Sequence, residues 1–206
     1  MDAQPGTLRP GGRTARVREA VLAAVLTELA QTRYGELTVE QVAQRAGVAK
    51  TTVYRRWGSV EGLVLDLMRD LSGRRIPVPD TGDLAADLRA LARGIVAFYR
   101  DPANHALIAS VVAAAVSIPE ARRTLTEFFT GRTTQTAIIG ERAIERGEVP
   151  PDTDTVEVIR QMGAPFYYRM FITGEPVDDE VADRAAAVAA SAAIAGLLPR
   201  TSPHPS

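Results

Sequence analysis

The spacing of apolar residues along the chain predicts helices. Val17, Val21, Val25 and Leu29 recur four residues apart, with Ala24 between them, and this spacing places them on one face of an α-helix. Strand-like alternation is rare, and aromatic residues make up only 5% of the chain. We therefore predict an all-α fold of about nine helices.

The first third of the chain carries clear helix boundaries. The helical spacing of the first helix ends near Tyr34-Gly35. Thr38 then fits the N-cap of a second helix, and Gln41 completes a capping box with it. Gly47 ends that helix, a short third helix follows over Lys50–Trp57, and Ser59 is placed to cap a fourth.

Proline marks the clearest boundary between domains. None occurs between Pro10 and Pro77, where a breaker cluster begins. We predict an arm over residues 1–14, a first domain over 15–75, a second over 76–200, and a disordered tail over 201–206. The second domain carries five more predicted helices, with a kink expected at Pro165: Asp83–Arg100, Asn104–Val116, Pro119–Arg146, Asp154–Thr173 and Asp178–Leu198.

Composition excludes several kinds of site. The chain has no cysteine and two histidines, so disulfides, thiolate metal sites and a two-histidine metal site are not expected. Motifs of nucleotide-binding and hydrolytic enzymes are also missing, so we expect neither an enzyme nor a cofactor. The two longest apolar runs, Ala106–Val116 and Ala185–Leu198, fall short of the roughly 20 residues of a membrane span, and the start of the chain is not apolar. We therefore expect a cytoplasmic protein without a membrane partner.

Charge is unevenly distributed along the chain. Residues 1–60 hold nine basic and five acidic side chains, whereas the remainder holds 15 and 20, although the net charge is only −1. A basic first third suggests contact with a polyanion, and a random scatter of surface charge is the alternative. The 23 arginines and single lysine are typical of a GC-rich bacterial genome.

The second and third helices form a helix-turn-helix pattern with its turn at Gly47. Val53 and Trp57 lie four residues apart and supply a buried face to the third helix. The outward residues include no acid, as expected of a helix that enters the major groove of double-stranded DNA. An ordinary solvated helix face is the alternative. The outward set is Lys50, Thr51, Thr52, Tyr54, Arg55 and Arg56.

The segment from Thr38 to Trp57 resembles the N-terminal domain of the TetR family of transcriptional regulators. The resemblance covers about residues 15–70 and includes Ser59, which lies ahead of the fourth helix. The positions that carry it are Thr38, Val42-Ala43, Ala46-Gly47-Val48, Thr52-Val53-Tyr54, Trp57 and Ser59.

The resemblance implies which residues meet DNA. It places the outward set of the third helix on DNA, with the Tyr54 hydroxyl on a phosphate, and it adds Thr38 and Val39. The family's phosphate-binding lysine is replaced by Val60, and Gly58 stands where a proline or lysine is common. Arg55 and Arg56 could compensate, as could Arg9, Arg13 and Arg16 of the arm, for which a disordered tail is the alternative.

The resemblance also implies the kind of regulator. It indicates a homodimeric repressor that binds a palindromic operator and is released by a small apolar ligand of unspecified identity. The alternatives are a DNA-binding activator, or an interaction protein whose helix-turn-helix no longer binds DNA.

Small residues dominate one face of the last predicted helix, and they suit a close helix–helix interface. An internal helix packed against its own chain is the alternative, whereas the resemblance implies a dimer through the last two helices. The residues of this face are Val181, Ala182, Ala185, Val188, Ala189 and Ala192.

Aromatic residues and methionines gather in three segments of the second domain. Such surfaces suit an apolar ligand, although they more often form part of a core. The expected kink at Pro165 would splay the helix where Met162 and Phe166 project, and His105 and Arg132 are candidate polar anchors. The predicted ligand-binding set is Tyr99, His105, Phe128, Arg132, Met162, Phe166, Tyr167 and Met170.

Overall fold

The structure is a computed structural model that describes residues 12–200. These residues form ten α-helices and no β-strand, so the all-α prediction is confirmed. Residues 1–11 of the predicted arm and the tail 201–206 lie outside the described residues. The helices are α1 Gly12–Leu29, α2 Val39–Ala46, α3 Lys50–Trp57, α4 Val60–Arg75, α5 Leu84–Arg100, α6 Pro102–Ala115, α7 Pro119–Thr136, α8 Ile138–Glu145, α9 Thr155–Tyr168 and α10 Asp179–Ile194.

Two compact units make up the described chain. The first contains residues 12–68 and 106–125, and the second contains residues 69–105 and 126–200. The chain first passes from the first unit to the second between residues 68 and 69. The breaker cluster at Pro77 lies several residues after this point. The domain limits derived from that cluster remain predictions.

The apolar stripe of α1 packs into the core of the first unit. Val21 and Val25 are 0% exposed, as are Val42 of α2, Val53 of α3 and Leu63 of α4. Burying a side chain of this size completely contributes about 1.5–3 kcal/mol. The four helices are thus held by one apolar core.

The ends of α2 follow from local chemistry. The Thr38 hydroxyl accepts a hydrogen bond from the Gln41 N–H at 3.2 Å, and the Gln41 side-chain oxygen accepts from the Thr38 N–H at 2.8 Å. This is the predicted capping box. At the other end Gly47 has φ +66°, and the Val48 N–H donates to the Ala43 carbonyl at 3.0 Å. A glycine suits this turn because other residues are strained in the left-handed region.

In the second unit, α10 packs against α5 and α9. Its small side chains face these helices, as Ala182, Ala186 and Ala193 are each no more than 1% exposed. At the surface, Arg93 of α5 binds Asp183 of α10 through two hydrogen bonds, at 2.7 and 2.6 Å. The small residues therefore allow close packing within one chain.

One predicted helix is two in the structure. The segment expected to run over Pro119–Arg146 divides into α7 and α8, with Ala137 between them. The Thr136 hydroxyl donates to the carbonyl groups of Arg132 and Thr133, at 3.0 and 3.1 Å. Beyond the break, a Cβ on Gly140 would lie 2.8 Å from Thr155 Cγ2, so α8 approaches the start of α9 closely. No proline marks this division.

The helix predicted over Asp154–Thr173, with a kink at Pro165, has a different form in the structure. Helix α9 continues past Pro165 to Tyr168, and the backbone then forms a π-helical turn over Arg169–Thr173 that ends at Gly174. Proline lacks the N–H that would complete the helical ladder, so irregularity near it is expected. Helix α10 ends at Ile194, before the predicted Leu198.

Candidate nucleic-acid interface and ligand cavity

Helix α3 presents the predicted polar set to solvent. Lys50, Thr51, Arg55 and Arg56 are exposed, Tyr54 is 45% exposed, and Thr52 is half-buried. The Tyr54 hydroxyl donates to Glu40 of α2 at 3.4 Å. No acid lies on α3 itself, so its outer surface is cationic.

The last turn of α3 is anchored by Asp66 of α4. The Trp57 indole N–H donates to Asp66 Oδ2 at 2.8 Å, and Arg18 of α1 donates to both oxygens of the same carboxylate. Burial would raise the pKa of Asp66, but the hydrogen bonds from Arg18 and Trp57 outweigh that effect and lower it. A Cβ on Gly62 would lie 2.1 Å from the Trp57 carbonyl oxygen, so only glycine fits there. One carboxylate therefore links α1, α3 and α4.

The two arginines of α3 differ in their surroundings. Arg56 donates to the Thr14 carbonyl at 3.4 Å, and its guanidinium carbon lies 5.1 Å from the centre of the Trp57 ring. Arg55 and Lys50 form no ion pair with the described residues. Arg55 is thus the more available of the two arginines for an external anion.

The remaining predicted DNA-binding residues are less accessible. The Thr38 hydroxyl is exposed but takes part in the cap of α2, whereas the Val39 side chain is only 4% exposed and lies in the core. Val39 therefore cannot offer its side chain to DNA in this conformation. Val60 is half-buried, and Gly58 has φ +74°.

A cavity of about 310 Å³ lies in the second unit, among residues of α4, α5, α7 and α9. It brings together five of the predicted ligand-binding residues: Tyr99, Phe128, Arg132, Met162 and Tyr167. Sequence reasoning did not place Phe129, Thr133 and Arg160 in the lining. Phe129 adjoins the predicted Phe128, but nothing in the sequence pattern distinguished the other two.

Three aromatic side chains meet edge to face at this cavity. The rings of Tyr99 and Tyr167 are 6.0 Å apart at 85°, and those of Phe129 and Tyr167 are 4.9 Å apart at 80°. Burial raises the pKa of Tyr99 well above its ordinary value and raises that of Tyr167 to about 12. Both phenols are consequently neutral at pH 7, and the two side chains also interact with each other.

Arg132 is the charged side chain that α7 brings to the cavity, beside Thr130, Thr133 and Thr136. Its guanidinium donates to the Ile76 carbonyl oxygen and to Gln135 Oε1, the latter at 2.9 Å. Burial lowers the pKa of Arg132. No carboxylate within residues 12–200 forms an ion pair with it.

Three predicted ligand-binding residues do not line this cavity. Phe166 is 0% exposed, so Pro165 does not open a path to its ring. His105 and Met170 instead line a separate concavity that includes Tyr99, and the His105 ring stacks on Phe171 at 5.7 Å. The predicted set is thereby divided between the two concavities, and Phe166 lines neither of them.

The small-residue face of α10, which was expected to form the dimer, packs largely within its own chain. Ala182, Ala185 and Ala189 are buried within their own chain, which is the alternative packing considered for this helix, whereas Val188 is 64% exposed. Large apolar side chains are exposed near Val188 and at the end of α9. They are Tyr168, Ile172, Val188, Ile194 and Leu197. None of the helices over residues 12–200 is long and apolar enough to cross a bilayer.

Comparison with known proteins places both units among bacterial regulators. Residues 21–67 match the family described as bacterial regulatory proteins, tetR family, and residues 78–189 match the tetracyclin repressor-like C-terminal domain. The transcriptional regulator AqdR of Rhodococcus erythropolis is 35% identical over 151 residues, which cover 73% of this chain and 72% of AqdR.

Two further relatives extend the similarity over most of the chain. The uncharacterized HTH-type transcriptional regulator YdeS of Bacillus subtilis is 28% identical over 179 residues, covering 87% of this chain and 88% of YdeS. The crystal structure of the TetR family transcription regulator SCO0332 superposes with a TM-score of 0.70 at 29% identity, covering 89% of this chain and all of that chain (100%).

Proposed function

The chain belongs to the TetR family of transcription regulators, and from this premise we propose that it is a homodimeric repressor released from a palindromic operator by a small ligand. Its relatives are DNA-binding transcription regulators and not enzymes. The observation that carries the proposal is the exposed, acid-free surface of α3 behind the Gly47 turn. We place its action in the cytoplasm, where bacterial DNA lies.

Helix α3 would read DNA from the major groove. The buried Val53 and the anchored Trp57 fix the helix, while most of its outer side chains stay exposed to solvent. An arginine can bind guanine O6 and N7 or a phosphate with two hydrogen bonds, and hydroxyl groups can bind phosphates. Arg55 is the strongest candidate for a base or phosphate contact, with Lys50, Thr51, Thr52, Tyr54, Arg56 and Thr38 around it.

A homodimer would follow from the apolar side chains at α9 and α10. Scattered exposed apolar residues are common, but five large ones lie between residues 168 and 197. A homodimer would supply two copies of α3, as the two half-sites of a palindromic operator, about 34 Å apart, require. The dimer would therefore use the exposed face of α10 and the end of α9.

Release by a ligand would be a shift between two conformations. A ligand lowers operator affinity only if it binds the non-binding conformation more tightly than the DNA-binding one. The cavity of the second unit supports such a role, because it is apolar with a few convergent polar groups.

Selection of operator DNA tests the proposal. Sheared genomic DNA would be bound to the purified protein at about 150 mM salt, recovered and sequenced. We expect enrichment of an inverted repeat, and none with a variant carrying both Arg55→Ala and Arg56→Ala. Enrichment of a single half-site would overturn the dimer, and no enrichment would overturn DNA binding in favour of a protein partner.

Transcription in vitro separates the two kinds of regulator. With the recovered operator upstream of a reporter, a repressor lowers transcript yield and an added ligand restores it. An increase in transcript with protein alone would identify an activator instead.

A further inference from the structure

We infer that the cavity of the second unit selects a small aromatic carboxylic acid, with the carboxylate bound by Arg132 and the ring bound among Tyr99, Phe129 and Tyr167. The inference rests on the proposed release by a ligand and specifies the class of that ligand. It is carried by the charge of the lining, the arrangement of Arg132 and the geometry of the rings.

The lining is cationic although the surrounding sequence is acidic. Two arginines, Arg132 and Arg160, contribute to the lining, and no aspartate or glutamate does. Residues 61–206 nevertheless hold 20 acidic and 15 basic side chains. Such a lining attracts an anion and repels an amine. Acid-bearing ligands are therefore favoured over basic ones.

The two arginines differ in position. Arg160 is 60% exposed on its side chain and lies 3.5 Å from Glu157, so a carboxylate already balances it. Arg132 is half-buried, and no carboxylate in the described chain pairs with it. A charge removed from water without a partner is costly, and a ligand carboxylate would supply that partner.

Hydrogen bonds hold the Arg132 guanidinium in place. It donates to the Ile76 carbonyl and to Gln135 Oε1, and these two bonds use part of its five N–H donors. Its remaining donors have no hydrogen-bond partner among residues 12–200. A guanidinium held in this way loses little freedom when it binds a carboxylate with two hydrogen bonds.

The aromatic lining determines the body of the ligand. Tyr99 and Phe129 each meet Tyr167 edge to face, so the lining presents aromatic rings at steep angles to one another, against which another flat ring can pack. The volume of about 310 Å³ lies at the lower end of the roughly 300–1,000 Å³ of small-molecule sites. A molecule of one or two fused rings suits this space.

Matched acids and amides test the inference. Binding of benzoic acid, benzamide, 2-naphthoic acid and 2-naphthamide would be measured by calorimetry on the full chain at pH 7, without DNA. We expect at least one acid to bind about tenfold or more tightly than its amide, since the amide keeps the shape but loses the charge. Decanoic acid serves as the non-aromatic acid and should bind more weakly than 2-naphthoic acid.

Variants assign the preference to Arg132. Arg132→Gln should reduce the preference for acid over amide to less than about twofold, and Arg132→Lys should retain part of it. Arg123→Gln is the matched control, because Arg123 is an exposed arginine of the same helix. If the glutamine variant unfolds by circular dichroism, the lysine variant and the acid–amide pairs still decide the matter.

The inference is overturned if no acid exceeds its amide, if the preference survives in Arg132→Gln, or if decanoic acid binds as well as 2-naphthoic acid. Operator release is measured separately by fluorescence anisotropy of labelled DNA. Equal release by acid and amide would uphold the regulator and refute the carboxylate site. Acid binding through Arg132 without release would uphold the site and refute ligand-controlled repression.

Discussion

Arg18 and Asp66 are joined by two parallel hydrogen bonds, from Nε to Oδ2 at 3.0 Å and from Nη2 to Oδ1 at 2.7 Å. They are 48 residues apart in the chain and both are partly buried. Because Trp57 donates to the same carboxylate, this pair links the first helix to the end of α3. Its loss should therefore affect both stability and the position of α3.

Replacing the Asp66 carboxylate should destabilise the first unit. We expect Asp66→Asn to lower the free energy of unfolding by about 1–3 kcal/mol, since hydrogen bonds to a charged group are lost. Urea denaturation followed by the fluorescence of Trp57, the single tryptophan of the chain, measures this. Glu127→Gln is the control, because that carboxylate is 60% exposed in its pair with Arg69 and its loss should cost little.

The effect of Asp66→Asn should depend on pH. The pKa of Asp66 is lowered in the folded state, so the ionised carboxylate stabilises the fold above the unfolded pKa of about 3.9. That contribution is lost as the pH falls through the folded pKa. The difference between wild type and variant should be constant near neutral pH and shrink below about pH 4; a constant difference at pH 3 would contradict the lowered pKa.

The two arginines of α3 should be separable by substitution. Arg55→Ala should weaken operator binding by about 1–3 kcal/mol if Arg55 binds a base, or reduce the salt slope by about 0.9 if it binds a phosphate. Stability should not change, because Arg55 has no ion pair within residues 12–200. Fluorescence anisotropy with labelled operator across a salt series measures both quantities.

Arg56→Ala should reduce stability as well as affinity. Its contacts with the Thr14 carbonyl and the Trp57 ring are lost, the latter worth about 0.5–1 kcal/mol at an exposed position. Arg89→Ala on α5 is the control and should leave DNA binding intact. Unchanged affinity and salt slope in both α3 variants would refute the assignment of α3 as the DNA-reading helix.

The exposed face of α10 should be sensitive to charge. We expect Val188→Glu and Ile194→Glu to convert the proposed dimer into monomers, because both side chains are more than half exposed in the single chain. Sedimentation velocity gives the distribution of species directly. Affinity for a palindromic operator should fall with it, since two linked half-sites bind more tightly than one.

A substitution on the opposite face of α10 provides the contrast. Ala186 is 1% exposed, so Ala186→Leu should cost about 1–3 kcal/mol of stability through overpacking while the proposed dimer stays intact. If instead Ala186→Leu dissociates the dimer and Val188→Glu does not, the interface lies on the small-residue face.

Tyr167 should titrate at high pH. Burial raises its pKa to about 12, so the neutral phenol stabilises the fold below the unfolded pKa of about 10. This contribution is lost as the pH rises through about 12. The difference in phenolate absorbance at 295 nm between wild type and Tyr167→Phe should therefore appear near pH 12, and a step near pH 10 would contradict the burial.

Local chemistry made the helix-turn-helix predictable. The Thr38 cap, the Gly47 turn and the Val53–Trp57 spacing each act within a few residues, and the structure places α2 and α3 at the expected limits. The burial of Val39 was not predictable from motif position, because the first residue of a helix can face either way.

The features that the sequence did not predict depend on contacts between residues that are far apart in the chain. The division at Ala137 coincides with close packing of Gly140 on Thr155, and no local breaker announces it. The alanine face of α10 suited a partner chain and its own chain equally well. Arg132 was predicted as an anchor, but its bond to the Ile76 carbonyl joins residues 56 apart.

Lys50 in the first turn of α3 is the only lysine of the chain and is exposed. Its side-chain amine is therefore a unique chemical handle on the proposed DNA-facing helix. An amine-reactive dye at high pH would attach there and, besides Lys50, only at the chain's terminal amine. Operator DNA that covers α3 should protect Lys50 from labelling, so the extent of labelling would map operator occupancy without any substitution. Acylation also removes the positive charge of Lys50.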